Sequence, residues 1–298
     1  MLNIVTTLIP LLLMVAIGYV FRKKVFSETK TLSNLVLYIF SPALVFSNLI
    51  GGTVTPIEIM EIALFSMSLT IVLSVMSKIL AHALGYSKEK ESALMISTVF
   101  LNSVNYGGPV ILFALGPAGL ERALVYGITQ GITLYSFGVY CASMGKASWR
   151  SSLVNMFKLP MIYAAILAGV INLLAIPVTG IAFDVAAILG DAAIPLMLVL
   201  LGIQLGQIGV KKAYGFIALS SSIRLVLSPL IGILLLSVLG VHGLLAKVLI
   251  LQSAMPMAVM GTVLSMKFDA RPDLVSSSTL FATIFSVVTL TILISILI

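Results

Sequence analysis

Asn102-Ser103-Val104-Asn105-Tyr106-Gly107-Gly108-Pro109 and Gln252-Ser253-Ala254-Met255-Pro256 stand at nearly matching places in the two halves of a 298-residue chain. Each lies within a long apolar segment, and each carries residues that interrupt a helix. Proline has no backbone N–H, and its ring clashes with the carbonyl four residues earlier, so a helix opens there. Open backbone survives at membrane depth only where protein buries it or where it lines a watery cavity.

Composition places these segments in a bilayer. The chain is 60% hydrophobic and 9% charged, with a mean hydropathy of +1.20. A soluble domain carries about 25% charged residues. At roughly 20 residues per helical span, the length accommodates about ten spans and leaves no room for a soluble domain. The net charge of +7 does not point to nucleic acid, because the basic residues sit in short loops between apolar runs. The first such run, Leu8 to Phe21, is followed rather than preceded by Arg22, Lys23 and Lys24. That is the reverse of a secretory signal, so the run reads as an uncleaved first span. The lone Cys141 excludes an intramolecular disulfide and a cysteine metal cluster.

Hydropathy and Gly, Pro and charge punctuation predict spans near 3–21, 31–49, 58–84, 90–116, 120–143, 157–177, 182–206, 213–239, 244–266 and 275–298. Of the 17 Lys and Arg residues, all but Lys78, Arg122, Arg224 and Lys247 fall in the loops after the odd-numbered spans. The positive-inside rule then puts both termini outside. With five spans in each half, the second half lies inverted relative to the first. The halves also echo one another: Tyr38-Ile-Phe-Ser-Pro42 matches Asp191-Ala-Ala-Ile-Pro195, and Leu101-Asn102-Ser103 matches Leu251-Gln252-Ser253. The expected fold is therefore an all-α integral membrane protein of ten transmembrane helices in two inverted five-helix repeats. Spans four and nine are its broken crossover helices. Residues 1–145 form the first repeat, 146–157 a short cytoplasmic linker holding Trp149, and 158–298 the second repeat. Paired interruptions in corresponding halves are the sequence mark of a secondary transporter's binding site.

Four prolines share a pattern. Pro42, Pro109, Pro195 and Pro256 are expected to free the carbonyls of Tyr38, Asn105, Asp191 and Gln252, which sets an open carbonyl beside a polar side chain. Pro229, with Leu225 four residues before it, departs from that pattern. Gly107 and Gly108 remove bulk beside the first break and permit close approach of a ligand or of another backbone. Asn102 and Asn105 can donate to a carboxylate or accept from a cation. Asp191 and Arg224 lie well inside spans, where an ionisable residue is read as functional by default. Asp191 and Tyr38 are candidates for ion or proton coupling, and Arg224 is a candidate partner for an anionic substrate. The substrate and crossover set is completed by Gln252, Ser253 and Pro256. His82 and His242 lie at opposite span ends, so no metal site is expected. The chain has no zinc-protease, nucleotide-loop or nucleophile-elbow motif.

The run Asn102-Ser103-x-x-x-Gly107-x-Pro109 resembles the fourth-span motif of the auxin efflux carrier family, and Ala254-Met-Pro256-Met-Ala258 its ninth-span motif. Ser277-Ser-Thr279, followed by Thr283, Ser286 and Thr289, is similar to its closing helix. Val104 takes the place of a small residue in that motif. The resemblance covers essentially the whole chain. It implies a fold shared with bile-acid sodium symporters, with a scaffold of spans one, two, six and seven facing a transport domain. It also implies small organic anions such as malate, malonate or auxin-like carboxylates as substrates, H+ or Na+ as coupling ion, and no cofactor. The expected setting is the cytoplasmic membrane, without a nucleic-acid partner, and relatives of the fold point to a homodimer. A ten-span drug/metabolite-type carrier is the nearest alternative, and its termini would lie on the opposite side. An intramembrane enzyme or a sensor module is the alternative from another class. Single cysteines at Thr53 and Ser148, in a Cys141→Ala background, are expected to label from opposite sides of the membrane. An impermeant reagent applied to intact cells should reach Thr53 only, and the reverse pattern would favour the drug/metabolite type.

Overall fold

The computed structural model describes residues 2–25, 29–144, 157–209, 211 and 213–298. The expected linker at 146–157, with Trp149, lies outside the described residues except for Phe157. The described chain is helical: α1 (Leu2–Lys24), α2 (Thr29–Leu35), α3 (Ser41–Leu49), α4 (Pro56–Ala83), α5 (Lys88–Val99), α6 (Gly108–Thr133), α7 (Val139–Ala142), α8 (Pro160–Leu173), α9 (Ile181–Gly206), α10 (Tyr214–Ser222), α11 (Ser228–Leu239), α12 (Gly243–Ser253), α13 (Val259–Lys267) and α14 (Pro272–Leu297). Single widened π-turns join α2 to α3 (Val36–Phe40), lead into α6 (Ser103–Gly107), join α6 to α7 (Leu134–Gly138), and join α10 to α11 (Ile223–Leu227).

Among the described residues, six helical segments are long and apolar enough to cross a membrane. The segments expected at 90–116 and 244–266 are each divided by extended backbone, into α5 and the first leg of α6 and into α12 and α13, and those expected at 3–21 and 157–177 do not count among the six. The continuous stretch from Ser103 to Ala142 holds two legs. Gly116, at φ 75° and ψ −173°, breaks the helix just before Pro117. The legs then run back along each other, since a Cβ on Gly127 would stand 2.4 Å from Val104 Cγ2 and one on Gly108 3.7 Å from Leu120 Cδ1. Val104, larger than the residue expected there, is accommodated because Gly127 faces it.

Prolines 42, 109 and 229 each occupy the second position of a helix that follows a π-turn. A widened turn moves the preceding carbonyls off the proline ring, which reduces the clash that breaks an ordinary helix. The behaviour extends to Pro229, outside the expected pattern. Pro195, inside it, sits within an uninterrupted α9.

Buried side chains gather in two principal clusters. One joins α3, α8 and α9 to the second leg of α6 through Leu44, Leu120, Leu124, Met161 and Met197. The other joins α4, α5 and α10–α14 through Phe65, Leu94, Leu249 and Leu290. The ends of the bundle differ in charge. At one end Arg122 Nε donates to Glu58 at 2.6 Å, and Glu121 accepts from the Thr53 amide at 2.7 Å. At the other, Arg22 packs on Gly206, Lys211 pairs with Asp273 at 2.7 Å, and the Tyr86 ring meets that of Phe216.

Helices α1 and α9 are in backbone contact. A Cβ built on Gly202 would lie 2.0 Å from the Val15 carbonyl oxygen, and one on Gly18 2.0 Å from that of Val199. Small residues let membrane helices approach this closely, where dispersion replaces the missing hydrophobic drive. Gly202→Ala is therefore expected to force the pair apart and to cost about 1–3 kcal/mol as an overpacked site. Gly169→Ala, with nothing within 4 Å of its Cβ, should leave thermal unfolding in detergent unchanged, and the comparison of the two variants checks the packing.

Candidate functional site

The two sequence interruptions meet. Phe100 and Ala258 are extended, and Leu101 and Met257 form an antiparallel bridge. The Asn102 amide donates to the Pro256 carbonyl at 2.8 Å, and the Ala258 amide donates to the Phe100 carbonyl at 3.0 Å. Each break thus satisfies the backbone groups that the other leaves open. This arrangement is acceptable where water is absent. Gln252, fully buried, spans the same junction: its Nε2 donates to the carbonyls of Ser103 at 3.2 Å and Ala123 at 3.5 Å. A Cβ on Gly107 would stand 2.8 Å from Gln252 Oε1, so Gly107 makes room for this carboxamide.

Arg224, in the π-turn between α10 and α11, is 0% exposed. Its guanidinium donates to the Thr98 carbonyl at 2.8 Å, to the Ser253 carbonyl and to Ser228 Oγ. Thr98 lies in the last turn of α5 and Ser253 ends α12, so one cation sits at the C-terminal ends of both broken helices. That is where the helix dipole places partial negative charge. Ser228 Oγ also donates to the Ser253 carbonyl, at 2.7 Å.

On the other side of the junction lies a cavity of about 140 Å³. Asn102, Ser103 and Asn105 line it from the entry into α6, and Ala258, Val259 and Met260 from the entry into α13; Ser41, Gln130, Tyr135 and Gln204 add polar groups to an otherwise apolar wall that includes Leu37, Leu134 and Met161. None of its lining side chains is charged. The N-terminal ends of two half-helices, which carry partial positive charge, therefore face the cavity. Gln130 Nε2 donates to Ser66 Oγ at 3.1 Å and Gln204 Nε2 to Ser33 Oγ at 3.3 Å, while both carboxamide oxygens lack a partner among the described residues. The cavity thus offers neutral donors and acceptors in a field biased toward anions.

The residues singled out in the sequence divide into three groups. Asn102 and Asn105 line the cavity. Gly107, Pro109, Gln252, Ser253, Pro256 and Arg224 build and brace the junction behind it, and none of them lines it. The Arg224 guanidinium does not reach the cavity because helix carbonyls hold it on the far side. The carbonyl of Gln252 is not free either, since it accepts the Met255 amide at 3.1 Å. Asp191 and Tyr38 form the third group. Asp191 is exposed on the flank of α9, and Tyr38 is 55% exposed; neither lines the cavity. Asp191 points away because the inward face of α9 near it is taken by Gly190, Ala193, Ile194 and Met197. Ser41, Gln130, Tyr135 and Gln204 complete the site without having been singled out. Gln130 and Gln204 carried a signal, as isolated carboxamides in apolar spans, of the kind that marks Asn102.

A family profile described as "Membrane transport protein" matches residues 3–148 and 141–294. An uncharacterized transporter of Methanothermobacter thermautotrophicus is 28% identical over 288 residues, covering 95% of each chain. Another, of Methanocaldococcus jannaschii, is 28% identical over 292 residues, covering 92% of each.

The bracing by Arg224 has a measurable consequence. Hydrogen bonds to a charged group are worth about 1.5–3 kcal/mol, so Arg224→Ala should lower the unfolding temperature of the purified protein markedly. Arg224→Lys, one point charge for two carbonyls, should recover part of the loss. Wild-type stability in Arg224→Ala would remove the bracing role.

Proposed function

The chain belongs to the membrane transport protein family, the family of the auxin efflux carriers, and on that premise we propose that it is a secondary active transporter. Its proposed substrates are small organic anions such as malate, malonate or auxin-like carboxylates. It moves them across the cytoplasmic membrane by alternating access. The observation that carries this reading is the meeting of two broken helices beside a small, uncharged cavity. An anion leaving water needs compensating donors or charge. The two half-helix N-termini supply roughly half a unit of charge each, and Asn102 and Asn105 supply N–H groups. Arg224 adds a full charge one layer behind, held off the substrate by the helix ends that it binds.

The proposal includes the finer architecture. Ten spans form two inverted repeats, 1–145 and 158–298, joined by the linker at 146–157, with both termini outside and a homodimer as the working unit. The uneven charge of the bundle ends supports this orientation. A coupling H+ or Na+ would meet the unpartnered oxygens of Gln130 and Gln204, which suit a sodium ion or the proton of an undissociated acid. Asp191 is exposed on the flank of α9 and Tyr38, although next to the lining residue Leu37, is not itself in the lining, so the reading gives coupling to the cavity residues instead.

Transport in reconstituted vesicles tests the proposal. Uptake of labelled malate, malonate and an indole acid should depend on an imposed H+ or Na+ gradient. Asn102→Ala should reduce uptake at least about tenfold, the loss expected from one donor to an anion, and Pro109→Ala should reduce it by letting the helix close across the break, while both proteins remain inserted and monodisperse. Wild-type uptake in both variants would overturn the crossover as the substrate site.

A further inference from the structure

At the basic end of the bundle lies a second cavity, of about 290 Å³, between the last turns of α4, the first turn of α5 and the end of α7. Two ammonium groups and one carboxylate belong to it, on Lys78, Lys88 and Glu91. Lys88 Nζ stands 3.4 Å from Glu91, and Lys78 has no hydrogen-bond or ion-pair partner among the described residues. The cavity therefore carries a formal surplus of one positive charge. Ser74 and Ser92 add hydroxyls, and Val75, Phe137 and Tyr140 form an apolar wall.

Val75 is shared with a neighbouring trough. That trough, about 440 Å³, is lined only by Ile71, Val72, Val75, Met76, Ile79 and Leu80, all on α4. A cavity with one surplus positive charge thus opens, through a single valine, onto an apolar channel along a membrane-spanning helix. Lys78 lies five residues before the end of α4, where a lysine stem lies along apolar surface and its ammonium group reaches headgroup level.

We propose that this pair of cavities binds an anionic phospholipid from the leaflet at the basic end. The phosphodiester, with its single charge, sits between Lys78 and Lys88, and an acyl chain lies along Ile71, Val75 and Ile79. A soluble phosphate would match the ammonium groups but leave the trough empty. A zwitterionic lipid would fill the trough but bring no net charge. The inference needs only that the basic end lies at a bilayer surface. It does not depend on which anion the protein carries, or on whether it carries one.

Thermal unfolding of the purified protein in neutral detergent tests it, with short-chain phosphatidylglycerol, short-chain phosphatidylcholine and inorganic phosphate titrated separately. Phosphatidylglycerol should raise the unfolding temperature saturably, by mass action on the native state, and the other two should not. A lysine beside an anionic headgroup contributes about fivefold in affinity. Lys78→Gln and Lys88→Gln should each weaken the phosphatidylglycerol titration about that much, while Lys247→Gln, away from this cavity, should titrate like wild type. Equal titration by the two lipids, or unaltered phosphatidylglycerol titration in both single variants, would overturn the proposal. So would a rise produced by inorganic phosphate through the same lysines, which would mark a pocket for a soluble anion.

Discussion

Two short lengths of extended backbone, at Phe100–Asn102 and Pro256–Ala258, are hydrogen-bonded to each other in the middle of the molecule. In hydrocarbon, a helix that stops leaves carbonyls and amides without partners, each costing several kcal/mol. Two helices that stop side by side can satisfy one another, and the rest of the site follows from that constraint. The C-terminal ends of α5 and α12 must be closed together, which brings Arg224 to Thr98 and Ser253. The N-terminal ends must open on the opposite side, and there the cavity forms. Gln252 can span the junction only because Gly107 has no side chain.

The same economy of backbone groups governs the prolines. Where a span must bend without ending, a π-turn precedes the proline, at Pro42 and Pro229, and the same turn restarts the helix before Pro109. Where it must reverse, Gly116 takes a backbone conformation closed to most residues, and Pro117 begins the return. A proline in this membrane protein therefore marks one of several outcomes, and the residues beside it decide which.

That plurality explains what the sequence disclosed and what it withheld. Apolar runs parted by Gly, Pro and charge marked the helices, including the division near Gly116 that a continuous hydropathy profile hides. Asn102 and Pro256 marked the junction, because polar and helix-breaking residues are costly in a span and persist there for a reason. Depth along a helix was legible, but the direction of a side chain was not. Asp191 and Arg224 both sit deep in spans, yet one lies on an exposed flank and the other on the far side of the junction from the cavity. Only the packing of α9 and the π-turn before α11 separate them. Gln130 and Gln204 needed the reverse inference, since each is a single amide whose importance depends on which neighbours leave its oxygen unpaired.

The contact between α1 and α9 also bears on mechanics. With Gly18 and Gly202 set against carbonyl oxygens of the opposite helix, sliding one helix along the other would drive Cα atoms over peptide groups with no soft side chain between to yield. The pair resists shear as a laminated plank does. Compliance in the molecule is correspondingly left to the interfaces paved with long aliphatic side chains, such as Leu120, Leu124 and Met197, whose rotamers can exchange without prising backbones apart.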